Sequence, residues 1–417
     1  MVATLGTTAR EAVSSACAGV DDAGPQDAVD GVPTGLVARP TDTDQVAAVL
    51  RACAAHGLAV VPRGNGTKLS WGSAPRRADV LLDLSGLDQV LDHAAGDLIV
   101  AAQAGAPLAE VQRVAAQGGQ RLALDETVPG TTVGGMLATN TSGPRRTAIG
   151  TARDLLIGVT MVRADGVVAK AGGRVVKNVA GYDLGKLLIG SMGTLGVVVD
   201  ATFRLHPVPA ASRWVSVPVA DPAQALAVSQ SVVHAQVVPA AVEVEWADGA
   251  GTVSVLLEGR EDGVAGRAAS TRELLGTASS ESDEPPAGGA AYPWTTGVAG
   301  DERETALKLS FELSGLADVL AAVAGTPARL RGSAGSGVVY AALPAATPAA
   351  EVAALLARLR EVCTRRGGAA VVVDAPAAVK AAVDVWGPVP ALDLMRRVKD
   401  QFDPDHRLAP GRFVGGL

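Results

Sequence analysis

In "TDTDQVAAVLRACAAHG" (41–57) apolar residues recur at helical spacing behind a Thr/Asp cluster and ahead of a glycine. That capped period predicts a helix. The apolar "LAVVP" that follows predicts a short strand, and "RGNGT" predicts a loop. Further strands are expected around Val80–Leu84 and Leu98–Ala102, a second helix from about Pro107 to Gln117, and a hairpin turning at Ala164–Asp165–Gly166 in "LLIGVTMVRADGVVAKAGG". Residues 125–154, rich in Gly, Thr and Ser, show no sustained helix or strand period over most of their length. A segment that long and that poor in charge predicts an ordered binding surface.

Prolines near Pro209 mark a domain boundary. Beyond it, strand-like "AVEVEW" and "TVSVLLEG" alternate with Ala-rich helical runs such as "AAEVAALLARLREVCTRRGG", which predicts a second α+β domain over 210–385. Within it, "GTASSESDEPPAGGAAYPWTTGVAGDERE" (276–304) reads as a surface loop. No repeat of fixed period is present.

Composition narrows the function. At 417 residues the chain is long enough for two domains. No apolar run approaches the roughly 20 residues of a spanning helix, and the start lacks signal-peptide features, so a cytoplasmic protein is expected, at most peripheral to a membrane. A net charge of −7 and few aromatic residues disfavour nucleic-acid binding. Cys17, Cys53 and Cys363 form no C-x-x-C pair, so no iron–sulfur cluster or zinc site is expected within the chain and onward electron transfer would need a partner.

The glycines of "IGSMGTLGVVVD" (189–200) raise the question of a cofactor. A dinucleotide fingerprint requires G-x-G-x-x-G between a strand and a following helix. Here the spacing is G-x-x-G-x-x-G, "VAGYDLGKLLIGS" before it is helix-like, and "GVVVDATFRL" after it is strand-like. "RGNGTKLS" likewise lacks the spacing of a P-loop. The remaining reading is an extended cofactor lying along backbone from several glycine-rich turns, whose N–H groups form anion nests.

Four segments then resemble one family: "VVPRGNGTKLSWG" (60–72), "ETVPGTTVGGMLATNTSGPRRTAIGTARD" (126–154), "VKNVAGYDLGKLLIGSMGTLGVVVDATFRLHPVP" (176–209) and "VKDQFDPDHRLAPGRF" (398–413). In order and spacing the chain resembles the FAD-binding oxidoreductases of the vanillyl-alcohol oxidase or p-cresol methylhydroxylase type, and most of all the FAD-binding subunits of bacterial glycolate oxidase. The resemblance implies an α+β fold: an N-terminal extension (1–29), a two-subdomain FAD-binding domain (30–209), an α+β cap (210–385), and a C-terminal segment (386–417) returning to the FAD domain.

It further implies that Arg63, Gly64, Asn65, Gly66 and Thr67 wrap the FAD pyrophosphate. Pro129, Gly130, Thr131, Thr132, Gly134, Gly135, Thr139, Asn140, Thr141 and Ser142 would line the flavin and ribityl portion, with Gly150 and Asp154 closing that pocket. Gly193, Thr194, Leu195, Gly196, Val197 and Val198 would run beside the adenosine. Thr67 stands where some relatives attach FAD through a histidine, so non-covalent FAD is expected, and Ala409 stands where the family's usual Asn-Pro-Gly-Arg has asparagine.

Oxidising a 2-hydroxy acid needs a base or metal for the hydroxyl proton, a cation for the carboxylate, and a flavin to accept hydride. Catalytic relatives are implied to hold a metal partly through a histidine pair in the second domain. Residues 210–385 contain only His234, so no metal site is expected, and His56, His93, His206, His234 and His406 are read as structural. Lys177 and Tyr182, beside Asn178, are the polar candidates for catalysis.

Two functions follow. One is an FAD-dependent oxidoreductase acting directly on a 2-hydroxy acid or another alcohol. The other, favoured by the missing histidine pair, is the FAD-bearing subunit of a glycolate oxidase or dehydrogenase complex. That complex would include a homologous flavin subunit and an iron–sulfur subunit, and could hold this chain at the inner face of the cell membrane. A non-catalytic structural subunit is the third alternative.

Overall fold

The computed structural model describes residues 5–174 and 183–417, and the fold is α+β. Near the N-terminus a four-stranded sheet is ordered Val20–Asp22, Leu36–Ala38, Val80–Asp83, Val60–Arg63. Its last three strands are parallel. The helix Thr43–Ala55 starts where the Asp42 side chain accepts from the Gln45 N–H at 2.8 Å, and it buries Val46, Val49, Leu50 and Cys53. Residues expected to form an extension belong to this layer: helix Thr7–Ala16 packs on Thr43–Ala55, and Val20–Asp22 pairs antiparallel with Leu36–Ala38.

A five-stranded antiparallel sheet follows, ordered Val90–Ala94, Ile99–Gln103, Val197–Arg204, Leu156–Val162, Val168–Gly172. One continuous apolar core joins these two sheets and extends to Leu408. The C-terminal segment returns to this half of the chain. Leu408 bridges Val60 in parallel, with the Val60 N–H donating to Arg407 and the Ala409 N–H donating to Val60, each at 2.8 Å.

The second core lies on an eight-stranded antiparallel sheet, ordered Ser280–Ser282, Ala211–Val219, Ala250–Gly259, Ala241–Ala247, Arg329–Ser333, Val338–Leu343, Thr305–Ser310, Ala369–Asp374. Alternate residues such as Val242, Val244 and Trp246 pack with helices Pro222–Val233, Glu261–Leu275 and Ala349–Arg365. Strand period places Glu243, Ser333, Tyr340 and Glu258 on the opposite face. That face meets the first half of the chain, since Arg121 and Arg145 both reach the Glu258 carboxylate.

Three sequence expectations need correction. Residues 125–154 contain the helices Val133–Thr139, Arg146–Ile149 and Ala152–Leu155. Their brevity, and the paired Gly134 and Gly135, hide the helical period. Conversely, "VAGYDLGKLLIGS" shows helix only over Gly185–Leu188 among the described residues. The third is the expected surface loop of 276–304, which buries Tyr292 and Trp294. The two rings stack at 4.6 Å between centroids and pack with Trp71 and Tyr340. Aromatic burial of this size pins the segment between the two halves of the chain.

Candidate functional site

Three glycine-containing segments converge on one open cleft. The first leaves the parallel sheet at Arg63 and turns through Gly64–Thr67. A Cβ on Gly64 would lie 2.3 Å from the Thr132 Oγ1, so only glycine lets this loop seat against the second segment. The second begins at Thr132, whose hydroxyl accepts from the Gly135 N–H and starts helix Val133–Thr139. The third is the turn Gly190–Gly196 ahead of strand Val197–Arg204, where Gly190 and Gly193 adopt φ of +77° and +76°. Gly196 has ordinary φ, but a Cβ there would stand 2.3 Å from Met161. The three glycines therefore serve two needs, left-handed backbone at the first two and close packing at the last.

Of the residues expected at a cofactor, Arg63 to Thr67, Thr132, Gly134, Gly135, Thr139, Gly193, Gly196, Val197 and Val198 line the cleft. The Arg63 guanidinium itself is held by Asp27 at 3.0 Å and Asp83 at 2.7 Å. Pro129, Gly130, Thr131, Asn140, Thr141, Ser142, Thr194 and Leu195 are not among the lining residues. Some brace the lining instead: the Gly130 carbonyl accepts from Asn65 Nδ2 at 2.9 Å, and the Thr194 carbonyl accepts from Lys399 Nζ at 2.7 Å. Gly150 and Asp154 do not reach the cleft. The Asp154 carboxylate accepts from the Thr151 N–H at 2.8 Å and caps the short helix Ala152–Leu155. Lys177, Asn178 and Tyr182 lie outside the described residues.

Two cationic residues in the cleft had escaped sequence reasoning. Lys68 is buried and donates to the Thr131 hydroxyl at 2.8 Å and to the Thr67 hydroxyl at 3.1 Å. Burial pushes its pKa down to about 8, with Glu126 opposing the shift. Arg412, 4 % exposed, donates to the Leu69 and Trp71 carbonyls at 2.7 and 2.9 Å, while its Nε has no partner. Burial brings its pKa down to about 10, opposed by Asp30 and Asp374. Among the described residues neither cation has a carboxylate within 4 Å. Nothing local in "GTKLS" or "PGRF" distinguishes these side chains from solvated ones; only the folded chain brings them together.

A cleft lined by glycine-rich backbone, with an unpartnered buried guanidinium nitrogen and a second buried cation, fits a large anionic cofactor such as FAD. FAD supplies a hydride acceptor when bound, and the glycine turns, Lys68 and Arg412 are the residues that would hold it.

A second, smaller cavity lies on the inward face of the eight-stranded sheet, with room for about one water molecule. It is bounded by Ser142, Gly143 and Arg146 from the first half of the chain and by Glu243, Tyr292, Arg331, Ser333 and Tyr340 from the second. The Tyr292 hydroxyl donates to the Ser142 carbonyl at 3.3 Å. Packing of Tyr292 and Trp71 with Met192, which lines the larger cleft, links the two cavities.

Residues 34–172 match the family described as the FAD binding domain, and residues 386–413 match the C-terminal domain of FAD linked oxidases. The chain is 31% identical over 223 residues to the glycolate oxidase subunit GlcD of Bacillus subtilis, covering 53% of this chain and 47% of that protein. It is 38% identical over 178 residues to a D-2-hydroxyglutarate dehydrogenase of Xanthomonas citri pv. viticola, covering 42% and 38% of the two chains. The chain thus spans less than half the length of these relatives. A solved BBE-like 1 protein of Physcomitrella patens shares the fold over 96% of this chain and 98% of its own, at a TM-score of 0.68 and 16% identity. The chain thus carries an FAD-binding domain over one matched segment and the C-terminal domain of FAD linked oxidases over the other, and it is similar to FAD-linked oxidoreductases.

Proposed function

We propose that this chain is the FAD-binding subunit of a complex that oxidises a short 2-hydroxy acid such as glycolate. In this reading residues 30–209 are the FAD-binding domain, 210–385 the cap, and 386–417 a segment that completes the cofactor cleft. The observation that carries it is the cleft of three glycine segments closed by Lys68 and Arg412, in a chain similar to a glycolate oxidase subunit. Of the expected residues, those lining the cleft would contact FAD and those behind it would brace the lining. No histidine or cysteine lines the cleft among the described residues, which supports non-covalent attachment.

The subunit role is supported by the scarcity of groups for substrate oxidation. His234, the one histidine of 210–385, sits at the end of helix Pro222–Val233. No three His, Cys, Asp or Glu residues converge as metal ligands among the described residues. Electrons would leave through a homologous flavin subunit and an iron–sulfur subunit. No helix among the described residues is long and apolar enough to cross a membrane; we place the complex in the cytoplasm or at the inner membrane face.

The second cavity favours one alternative, a chain that oxidises the 2-hydroxy acid by itself with Lys177 or Tyr182 assisting. Purification separates the two. The subunit reading expects a yellow protein that releases FAD on acid denaturation, co-purifies with flavin and iron–sulfur partners, and is not bleached by glycolate alone. Bleaching of the isolated chain by glycolate or D-lactate overturns it in favour of the stand-alone oxidoreductase.

A further inference from the structure

Residues 68–72 have the cofactor cleft on one side and the second half of the chain on the other. Lys68 and Leu69 line the cleft. The next three residues are held from across the seam. The Ser70 hydroxyl donates to the Asp374 carboxylate at 2.6 Å, and the Ser70 carbonyl accepts from Lys380 Nζ. The Trp71 ring packs with Tyr292 and Trp294 at 6.0 and 6.2 Å between centroids, and the Gly72 N–H donates to the Val373 carbonyl at 2.9 Å. A Cβ on Gly72 would lie 3.0 Å from both Arg412 and Trp386 and 3.2 Å from Met192, so the seam has no room for a side chain there.

The charges along this seam do not balance. Asp30 and Asp374 lie between Arg303, at 2.9 and 3.0 Å, and Lys380, at 2.7 and 3.5 Å. Arg412 is a third buried cation. It feels both carboxylates from beyond ion-pair distance and donates instead to the carbonyls of Leu69 and Trp71. Among the described residues, two carboxylates thus face three cations, and an uncompensated buried charge is costly. Arg412 also lines the cleft, where an anionic cofactor would supply the missing negative charge.

We propose that occupancy of the cleft by FAD and docking of the second half of the chain onto the first are thermodynamically coupled through residues 68–72 and Arg412. In the loaded protein the loop is supported from both sides and the surplus charge is compensated, so the two halves close. In the unloaded protein the loop lacks support on the cleft side and the network carries its surplus charge. The halves then separate more readily, and the aromatic seam of Trp71, Tyr292 and Trp294 opens to solvent. Linkage is reciprocal, so whatever loosens the seam must weaken FAD binding by the same factor.

Hydrogen exchange read by mass spectrometry compares the FAD-loaded full chain with the same chain stripped of FAD. Stripping should speed exchange about tenfold in peptides covering 288–297 and 370–375, neither of which lines the cleft. Helix Glu261–Leu275, on the outer face of the sheet, should change little. The reciprocal arm dilutes loaded proteins and follows FAD release by the rise in flavin fluorescence. Trp294→Leu, which alters the seam without changing its charge, should weaken FAD binding about tenfold. Trp246→Leu, in the core on the other face of the same sheet, should leave FAD affinity unchanged.

Should Trp294→Leu fail to fold, Ser70→Ala carries the reciprocal arm through a loss of about threefold, the effect of one hydrogen bond. Exchange at 288–297 and 370–375 that ignores FAD removal overturns the proposal, and so does acceleration spread evenly over the whole chain. FAD affinity equal to the parent's in the seam variants, or equal weakening in Trp246→Leu, overturns it as well. The test needs neither substrate nor partner, so its outcome is independent of the subunit reading.

Discussion

The Lys399 ammonium and the Asp403 carboxylate meet at 2.6 Å with both side chains closed off from solvent. Lys399 also donates to the Thr194 carbonyl at 2.7 Å and the Leu408 carbonyl at 3.1 Å, while Asp403 accepts from the Leu408 N–H at 2.7 Å. The pair thus ties the C-terminal segment to the glycine turn of the cleft. Lys399→Met should cost about 3–5 kcal/mol, because it strands a buried carboxylate. Chemical denaturation measures the loss, and FAD release should accompany it. Lys399→Met combined with Asp403→Leu should recover part of the stability.

Lys68 predicts a pH dependence in the FAD-free protein. Its folded pKa, about 8, lies below the ordinary 10.5 of an unfolded lysine, so the unfolded state holds more protons between those values. Stability should therefore rise with pH across that window, by up to about 3 kcal/mol, before other groups are counted. Lys68→Met should be more stable than the parent at pH 7 and should lack the rise. It should also bind FAD more weakly, by about tenfold, as read by fluorescence titration.

Gly64→Ala should abolish FAD retention. The added methyl would stand 2.3 Å from the Thr132 hydroxyl and force the loop off the second segment. Gly249→Ala is the control. Gly249 is exposed in a hairpin with φ of +84° and open space around its Cβ position, so it should lose about 1 kcal/mol of stability with normal FAD content. Absorbance of the purified proteins distinguishes the two.

Arg303 sits between Asp30 at 2.9 Å and Asp374 at 3.0 Å, and Lys380 reaches Asp30 at 2.7 Å. Ser70 donates to Asp374 at 2.6 Å. This buried network joins the two halves of the chain. Arg303→Met should cost about 3 kcal/mol, and scanning calorimetry should then show two transitions in place of one.

Much of the first half of the chain is legible from local pattern. The capped helix 43–55, the strand after the glycine turn and the hairpin at Ala164–Gly166 lie where period and turn chemistry put them, within a residue or two. The convergence of three glycine segments was also legible, because several backbone-exposing turns in one chain share an explanation. What stayed hidden depends on distant partners. "AAYPWTT" reads as loop because its neighbours are small and polar, yet Tyr292 and Trp294 bury against Trp71 and Tyr340 from three separate parts of the sequence. Glu243 looks like the polar position of an alternating strand. Only the fold turns that face inward onto residues 142–147, so the outward-facing assumption behind binary patterning fails there.

The bridge between Val60 and Leu408 sets an order of events during biosynthesis. The strand Val60–Arg63 leads directly into the cleft loop, yet its neighbour on one side leaves the ribosome after the entire eight-stranded sheet has been made. Arg412, which closes the cleft, emerges later still. The nascent first half must therefore wait with an open strand edge, and closure of the cleft follows synthesis of the eight-stranded sheet. Flavin supply once Arg412 has emerged, rather than while the first half is being made, should then limit the yield of holoprotein.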